Sequence, residues 1–123
     1  MSITLKVDHD RSWAYVKAEG SITLAEIKQH LEEERRARGL AYPELVDARA
    51  AKVPLSCEEI YQLIDVLKNL AKQERLGPTA IVVSSDVNYG ILRMVETLLA
   101  EVTQIRPFRD FHEAEVWLAQ QQA

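Results

Sequence analysis

Apolar and polar residues alternate along the first part of the chain. Residues 3–7 alternate strictly, and after the polar segment 8–11 a second alternating stretch contains Trp13 and Tyr15. A period of two is typical of strands with one buried face. The pattern predicts an antiparallel hairpin at the N-terminus.

Past Gly20 the apolar period changes to that of a helix. Thr23 can cap this helix with Glu26 reaching back, and Gly39 is the expected stop. The predicted core-facing positions are Leu24, Ile27 and Leu31.

A short strand and a second helix follow in the middle of the chain. Leu45 and Val46 predict a strand that ends at Asp47, and Ser56 with Glu59 forms a second capping box. The apolar stripe of this helix consists of Ile60, Leu63, Ile64, Leu67, Leu70 and Ala71.

The last part of the chain repeats the strand-helix order twice. Residues 79–83 are apolar on both faces, which is typical of a central strand covered by helices. Because Pro107 has no backbone N–H, the strand at 104–109 should lie at a sheet edge or end early. Asp110 and Glu113 predict a third capping box, before a helix with Ala114, Trp117 and Leu118. The helix between these strands has its stripe at Ile91, Met94, Val95, Leu98, Leu99 and Val102.

The resulting order is ββαβαβαβα, which predicts an α/β fold with an N-terminal hairpin and a mixed, mostly parallel sheet. A length of 123 residues suits one domain, and we assign residues 1–123 to it. Hydrophobic residues at 47% are enough for a packed core.

Charge and cysteine content exclude several function classes. The net charge of -4 disfavours nucleic acid, and no apolar run reaches the ~20 residues of a membrane span. The single cysteine, Cys57, forms no internal disulfide, so a cytoplasmic location is expected. The charge run at 32–38 predicts an exposed helix face on which Glu32 pairs with Arg36 and Glu34 with Arg38.

With these elements placed, the chain resembles the compact STAS-like domains related to bacterial anti-sigma-factor antagonists, in particular short stand-alone proteins of unknown function. The resemblance implies a STAS-like fold and a non-enzymatic regulatory or binding role. It rests on segments 20–23 (GSIT), 45–49 (LVDAR), 80–86 (AIVVSSD), 89–90, 93–94, 108–110, 113–114 and 117–118.

The resemblance also draws attention to Ser56. Antagonists of that family are switched by phosphorylation of a serine at the start of the helix after the middle strand. Ser56 occupies this place, but the preceding Asp and the following Gly of the family are absent, and Glu58 and Glu59 add negative charge. The alternative role of Ser56 is a helix cap worth ~1 kcal/mol.

Polar residues follow the predicted parallel strands, at the edge where ligands of open α/β sheets collect. A crevice at this edge, near the N-termini of the second and third helices, could recognise a protein partner or a small polar or anionic ligand. The candidates are Asp47, Arg49, Ser84, Ser85 and Asp86.

The third helix begins at this edge without a capping box. Gly90 weakens its first turns and suggests close approach of another group, and Tyr89 could stack with Arg93. The alternative is that Ser85 or Asp86 caps the helix, Gly90 packs on a strand and Arg93 faces water.

Two further functions remain as alternatives. A small thiol- or serine-dependent enzyme would use Cys57, Ser56 or Ser85, although Leu63 stands where a phosphatase loop needs arginine. The histidines have no metal-ligand spacing, so no metal or cofactor is expected. A homodimer could form through aromatic surface at Trp13, Tyr15 and Trp117.

Overall fold

The computed structural model describes residues 3–121. Its elements follow the predicted order. They are β1 (Ile3–Asp8), β2 (Trp13–Ser21), α1 (Leu24–Arg36), β3 (Glu44–Lys52), α2 (Cys57–Gln73), β4 (Thr79–Val82), α3 (Asp86–Leu98), β5 (Ile105–Phe108) and α4 (Phe111–Gln120).

The five strands form one sheet in the order β1-β2-β3-β4-β5. β1 and β2 pair antiparallel as a hairpin, and β2 to β5 run parallel. Pro107 lies in β5, at the edge of the sheet, where a missing backbone N–H is tolerated. The predicted α/β class, the hairpin and the edge position of Pro107 are confirmed.

β3 is longer than its sequence pattern predicts. It continues past Asp47 to Lys52, and its register with β2 shifts between Lys17 and Glu19. One extra residue of β3 is accommodated there as a bulge, which breaks the alternation that would have marked the second half of the strand.

Successive side chains of each strand point to opposite faces, so the sheet has two cores. The α4 face carries the cluster of Trp13, Leu45, Ala80, Val82, Ala114 and Leu118. The opposite face, which we call the three-helix face, is covered by α1, α2 and α3. This placement follows from topology, because right-handed crossovers between strands that advance in one direction put every crossover helix on one side.

Two of the three predicted capping boxes form. Thr23 with Glu26 and Ser56 with Glu59 form complete capping boxes. At α4 the side chain of Asp110 accepts instead from the backbone N–H of His112, 3.0 Å away, and no capping box with Glu113 forms.

The left-handed residue that terminates helix α1 is Arg38, and not Gly39 as predicted. Arg38 takes a φ of 61°, and its N–H donates to the carbonyl of Arg35. The N–H of Gly39 then donates to the carbonyl of Glu34, which completes a Schellman motif.

Two predictions about apolar residues are wrong. In the predicted α3 stripe, Met94, Leu98 and Val102 are 37–39% exposed, because α3 packs over β5, the last strand of the sheet among the described residues. Trp13 is 5% exposed and belongs to the core, so it offers no aromatic surface for a dimer.

Candidate functional site

A cavity of about 230 Å³ lies between the sheet and the helices of the three-helix face. Side chains of β2 to β5 form its floor, and α1, α2 and α3 form its walls. Its lining is almost entirely apolar, and Tyr42 is the one aromatic residue among the described side chains that line it.

Small side chains on the strands explain the free volume. Ala18 and Ala48 face the cavity from β2 and β3, where the opposite face of the sheet carries Trp13 and Leu45. Because alanine side chains are short, they do not fill the space between the strands and the helices. The cavity therefore follows from the sequence of the central strands.

Three ionisable side chains interrupt the apolar lining, and we call them the polar triad: His30, Glu34 and Glu44. His30 and Glu34 are one turn apart on α1, and Glu44 is the first residue of β3. Each offers a ligand-type atom within 4.8 Å of the others. Nε2 of His30 lies 3.6 Å from Oε2 of Glu44.

The triad is buried and incompletely paired. His30 is 9% exposed and Glu34 is 4% exposed. Nδ1 of His30, Oε2 of Glu34 and Oε2 of Glu44 have no hydrogen-bond partner among the described residues. An unpaired buried polar group costs about 1–3 kcal/mol, so the triad lowers the stability of the fold.

Burial and the neighbouring Glu44 raise the pKa of Glu34 to about 11. Glu34 is therefore protonated at neutral pH. Burial opposes ionisation of Glu44 as well, but its interactions with Glu34 and with His30 outweigh burial and lower its pKa. The two carboxyl groups thus share one negative charge and one proton.

The sequence pattern did not identify this triad. It assigned Glu34 to a solvated face with Arg38, but α1 ends at Arg36 and Arg38 lies outside the helix, so the pair does not form. The other predicted pair is confirmed, because Nε of Arg36 lies 3.3 Å from Oε1 of Glu32, which also binds Arg35. The available signal was that position 34 continues the apolar stripe of Ile27 and Leu31.

The residues predicted at the carboxyl edge of the sheet lie in a different region. Asp47 accepts from Nε and Nη2 of Arg49, each at 2.9 Å, and the guanidinium of Arg49 lies over the ring of Phe111. Ser84 Oγ donates to the carbonyl oxygen of Arg49 at 2.8 Å. The guanidinium lowers the pKa of Asp47, mainly through the side-chain hydrogen bond.

The start of α3 belongs to the same edge. Ser85 caps α3 by accepting from the N–H of Asn88, and Asp86 forms an ion pair with Arg109. The guanidinium of Arg109, which the sequence did not single out, lies 5.0 Å from the centroid of the Tyr89 ring.

Of the two interpretations of this helix start, the alternative is confirmed for Arg93, which is exposed, and neither holds for Gly90. Arg93 does not stack with Tyr89, because its guanidinium reaches Glu96 on its own helix at 3.1 Å. A Cβ added to Gly90 would meet no atom within 4 Å, so no close approach requires this glycine.

Ser56 and Cys57 are both exposed at the start of α2. The hydroxyl of Ser56 accepts from the N–H of Glu59 at 3.1 Å. The described hydrogen bonds between residues 3 and 121 include none to the Cys57 thiol. The structure brings Asp47, Arg49 and Ser84 together, and it adds no described contact that joins Ser56 or Arg93 to them.

The order of the described strands provides no switch point at this edge. Ligand crevices of open α/β sheets form where the strand order reverses. Here the order from β2 to β5 advances in one direction without reversal. The free volume lies under the crossover helices instead.

The described strands follow one another in chain order across the sheet, with three helices on one face and one on the other. Comparison with a solved structure shows that this fold is SpoIIAA-like. The chain is similar to an uncharacterised protein from Shewanella loihica PV-4, described as a DUF3478 family member with a SpoIIAA-like fold. The TM-score is 0.64 at 17% identity, over 95% of this chain and 93% of the other.

The predicted STAS-like fold is thereby confirmed at the level of the fold. No protein-family model and no curated protein matches the sequence. Between residues 3 and 121, no helix has the length and apolar character needed to cross a bilayer.

Proposed function

We propose that the protein is a non-enzymatic binding module that takes up a small, largely apolar molecule in the cavity of the three-helix face. The observation that carries this proposal is a cavity of about 230 Å³ whose lining is apolar except for the triad and a few neutral polar side chains. Apolar cavities of this kind exclude water and accept apolar ligands.

The volume limits the class of ligand. A cavity of about 150 Å³ lined by aliphatic side chains accommodates benzene, whereas drug-sized ligands occupy about 300–1,000 Å³. A cavity of about 230 Å³ therefore suits one or two fused rings or a short aliphatic chain. A polar group on the ligand would find partners at His30, Glu34 and Glu44.

The carboxyl edge supports a second, weaker candidate, recognition of a protein partner or a small polar ligand. Its charged groups already pair with each other, Asp47 with Arg49 and Asp86 with Arg109. A polar ligand would have to break these pairs. Val87, which is 70% exposed beside Asp86, favours a protein partner there over a polar small molecule.

The remaining alternatives stay predictions with simple tests. A lowered pKa in a titration of the Cys57 thiol would favour the enzyme hypothesis. Light scattering would report a homodimer, and fractionation of cells would report a cytoplasmic location.

Binding of toluene, indole and 1-octanol tests the proposal. We expect at least one of these probes to bind saturably, to raise the melting temperature by several degrees, and to shift NMR signals of cavity residues such as Val46 and Ile81. Ala48→Leu should weaken the effect, because the larger side chain occupies part of the cavity.

The matched control is Ala50→Leu, an exposed position on the same strand. It should leave probe binding unchanged. Absence of binding by all three probes, or equal binding to Ala48→Leu and the unmodified protein, would contradict the proposal.

A further inference from the structure

The polar triad has the composition and spacing of a metal site. It presents one imidazole and two carboxylates, from positions 30 and 34 on one helix face and from the adjoining strand residue 44. Residues four apart on a helix point the same way, which is how short metal-binding spacings on helices work. A third ligand from a separate element closes such a site.

The distances between the donor atoms suit a small tetrahedral ion. With metal–nitrogen and metal–oxygen distances near 2.0–2.2 Å, two ligands of a tetrahedral ion lie roughly 3.4 Å apart. Nε2 of His30 and Oε2 of Glu44 are 3.6 Å apart, and all three donor atoms lie within 4.8 Å of one another.

Burial supplies an independent observation. Glu34 is 4% exposed and lines the cavity, and its Oε2 has no partner among the described residues. Polar groups that are buried without partners are rare in folded proteins, and each calls for an explanation such as an ion. A divalent cation would displace the proton that the two carboxyl groups share and pair with both carboxylates.

We propose that His30, Glu34 and Glu44 bind a divalent transition-metal ion of the zinc type at the wall of the cavity. Three protein ligands leave one tetrahedral position, which opens toward the cavity and can accept a donor atom of a ligand or solvent.

The ligand set decides between metal classes. Calcium takes six to eight oxygen ligands, and magnesium retains several waters and avoids nitrogen. One imidazole nitrogen with two carboxylates in apolar surroundings favours zinc, cobalt or manganese over both.

This metal site goes beyond the proposed function, because an apolar molecule can occupy the cavity without an ion. Each proposal has its own test, so one can be contradicted while the other holds. Probe binding in the presence of a chelator tests the cavity alone, and metal titration without any organic probe tests the triad alone.

The experiment is calorimetric titration of the untagged, chelator-treated full chain with zinc chloride, together with visible absorption spectra after addition of cobalt chloride. We expect one ion per chain and a four- or five-coordinate cobalt spectrum. Glu34→Gln and His30→Gln should each weaken zinc binding by more than about tenfold, since even the loss of an outer-shell partner costs 10–100-fold.

Matched controls separate the triad from surface groups. Glu33→Gln changes the exposed neighbour on the same helix, and His112→Gln removes an exposed histidine. Both should bind zinc like the unmodified protein, and so should Cys57→Ser, which removes the exposed thiol. Circular dichroism checks that each variant is folded.

Three results would overturn the proposal. They are absence of zinc and cobalt binding, affinity that is unchanged in a folded Glu34→Gln/Glu44→Gln variant, and loss of binding in Cys57→Ser.

Discussion

The two faces of the sheet are packed in different ways. The α4 face is covered by one short helix and filled by aromatic rings, with Phe108, Phe111 and Trp117 packed around a cluster that includes Leu118. The three-helix face is covered by α1, α2 and α3, yet alanines at its floor leave a cavity of about 230 Å³. Three covering helices have therefore not produced a more tightly packed core than the single helix on the other face.

The comparison suggests a division of labour between the faces. Large side chains in contact on the α4 face supply stability, because the free energy of burial grows with apolar area. The three-helix face contains both the free volume and the buried polar triad, and both of these cost stability. Features that cost stability are expected where a protein binds something.

The largest expected effect is Leu118→Ala on the α4 face. Leu118 is fully buried, so its truncation should cost about 2–5 kcal/mol of unfolding free energy. Leu67→Ala, at a half-buried cavity wall, should cost less than about 2 kcal/mol, because Leu67 already borders free volume. Chemical denaturation of both variants measures the difference, and equal losses would break the comparison.

Larger side chains should also affect the stability of the two faces differently. Ala114→Leu overpacks the α4 face and should destabilise the protein by about 1–3 kcal/mol. Ala48→Leu enters the cavity and should cost nothing or stabilise the fold. A loss of the same size for Ala48→Leu, measured by denaturant midpoint, would show that the cavity floor has no free space.

Gly90→Ala tests whether there is free space around α3 at this position. The position is helical and an added Cβ meets open space, so the change should stabilise the protein by about 0.4–1 kcal/mol. Thermal unfolding measures the gain. Loss of stability would mean that a close neighbour does require glycine at this position.

The smallest effect is expected for Asp47→Asn, at the end of the α4 face. The pKa of Asp47 is below its usual value of 3.8 in the folded state, so its ion pair with Arg49 stabilises the fold above pH 3.8. That contribution is lost as the pH falls through the lowered pKa. The change is small because half of the Arg49 side chain is exposed and water screens the pair.

Denaturation at pH 5 and at lower pH measures this contribution. Asp47→Asn should reduce the dependence of stability on acid pH, and an unchanged pH dependence would contradict the role assigned to the pair. Arg49→Gln serves as the matched variant, since it removes the same ion pair from the other side.

Local signals predicted most of the fold. Apolar periodicity located all nine elements, and the side chains of Thr23 and Ser56 marked two helix starts, because capping depends on a few neighbouring residues. The second half of β3 was missed, since a bulge disrupts alternation.

The candidate site was predicted much less well, for a physical reason. Glu34 was paired with Arg38 on the assumption of a continuous helix, whereas the chain leaves the helix at Ala37. Glu44 meets His30 only through the packing of α1 on the sheet. The cavity likewise depends on which alanines face the same helices, and a single sequence does not contain that information.

Xenon binding under pressure tests the central claim most directly, because xenon enters apolar cavities without specific chemistry. Crystals of the protein should show xenon between the sheet and α1 to α3, near Ala48 and Ile81, and xenon occupancy should fall in Ala48→Leu. Xenon only within the α4 face, or none in the protein, would contradict the account.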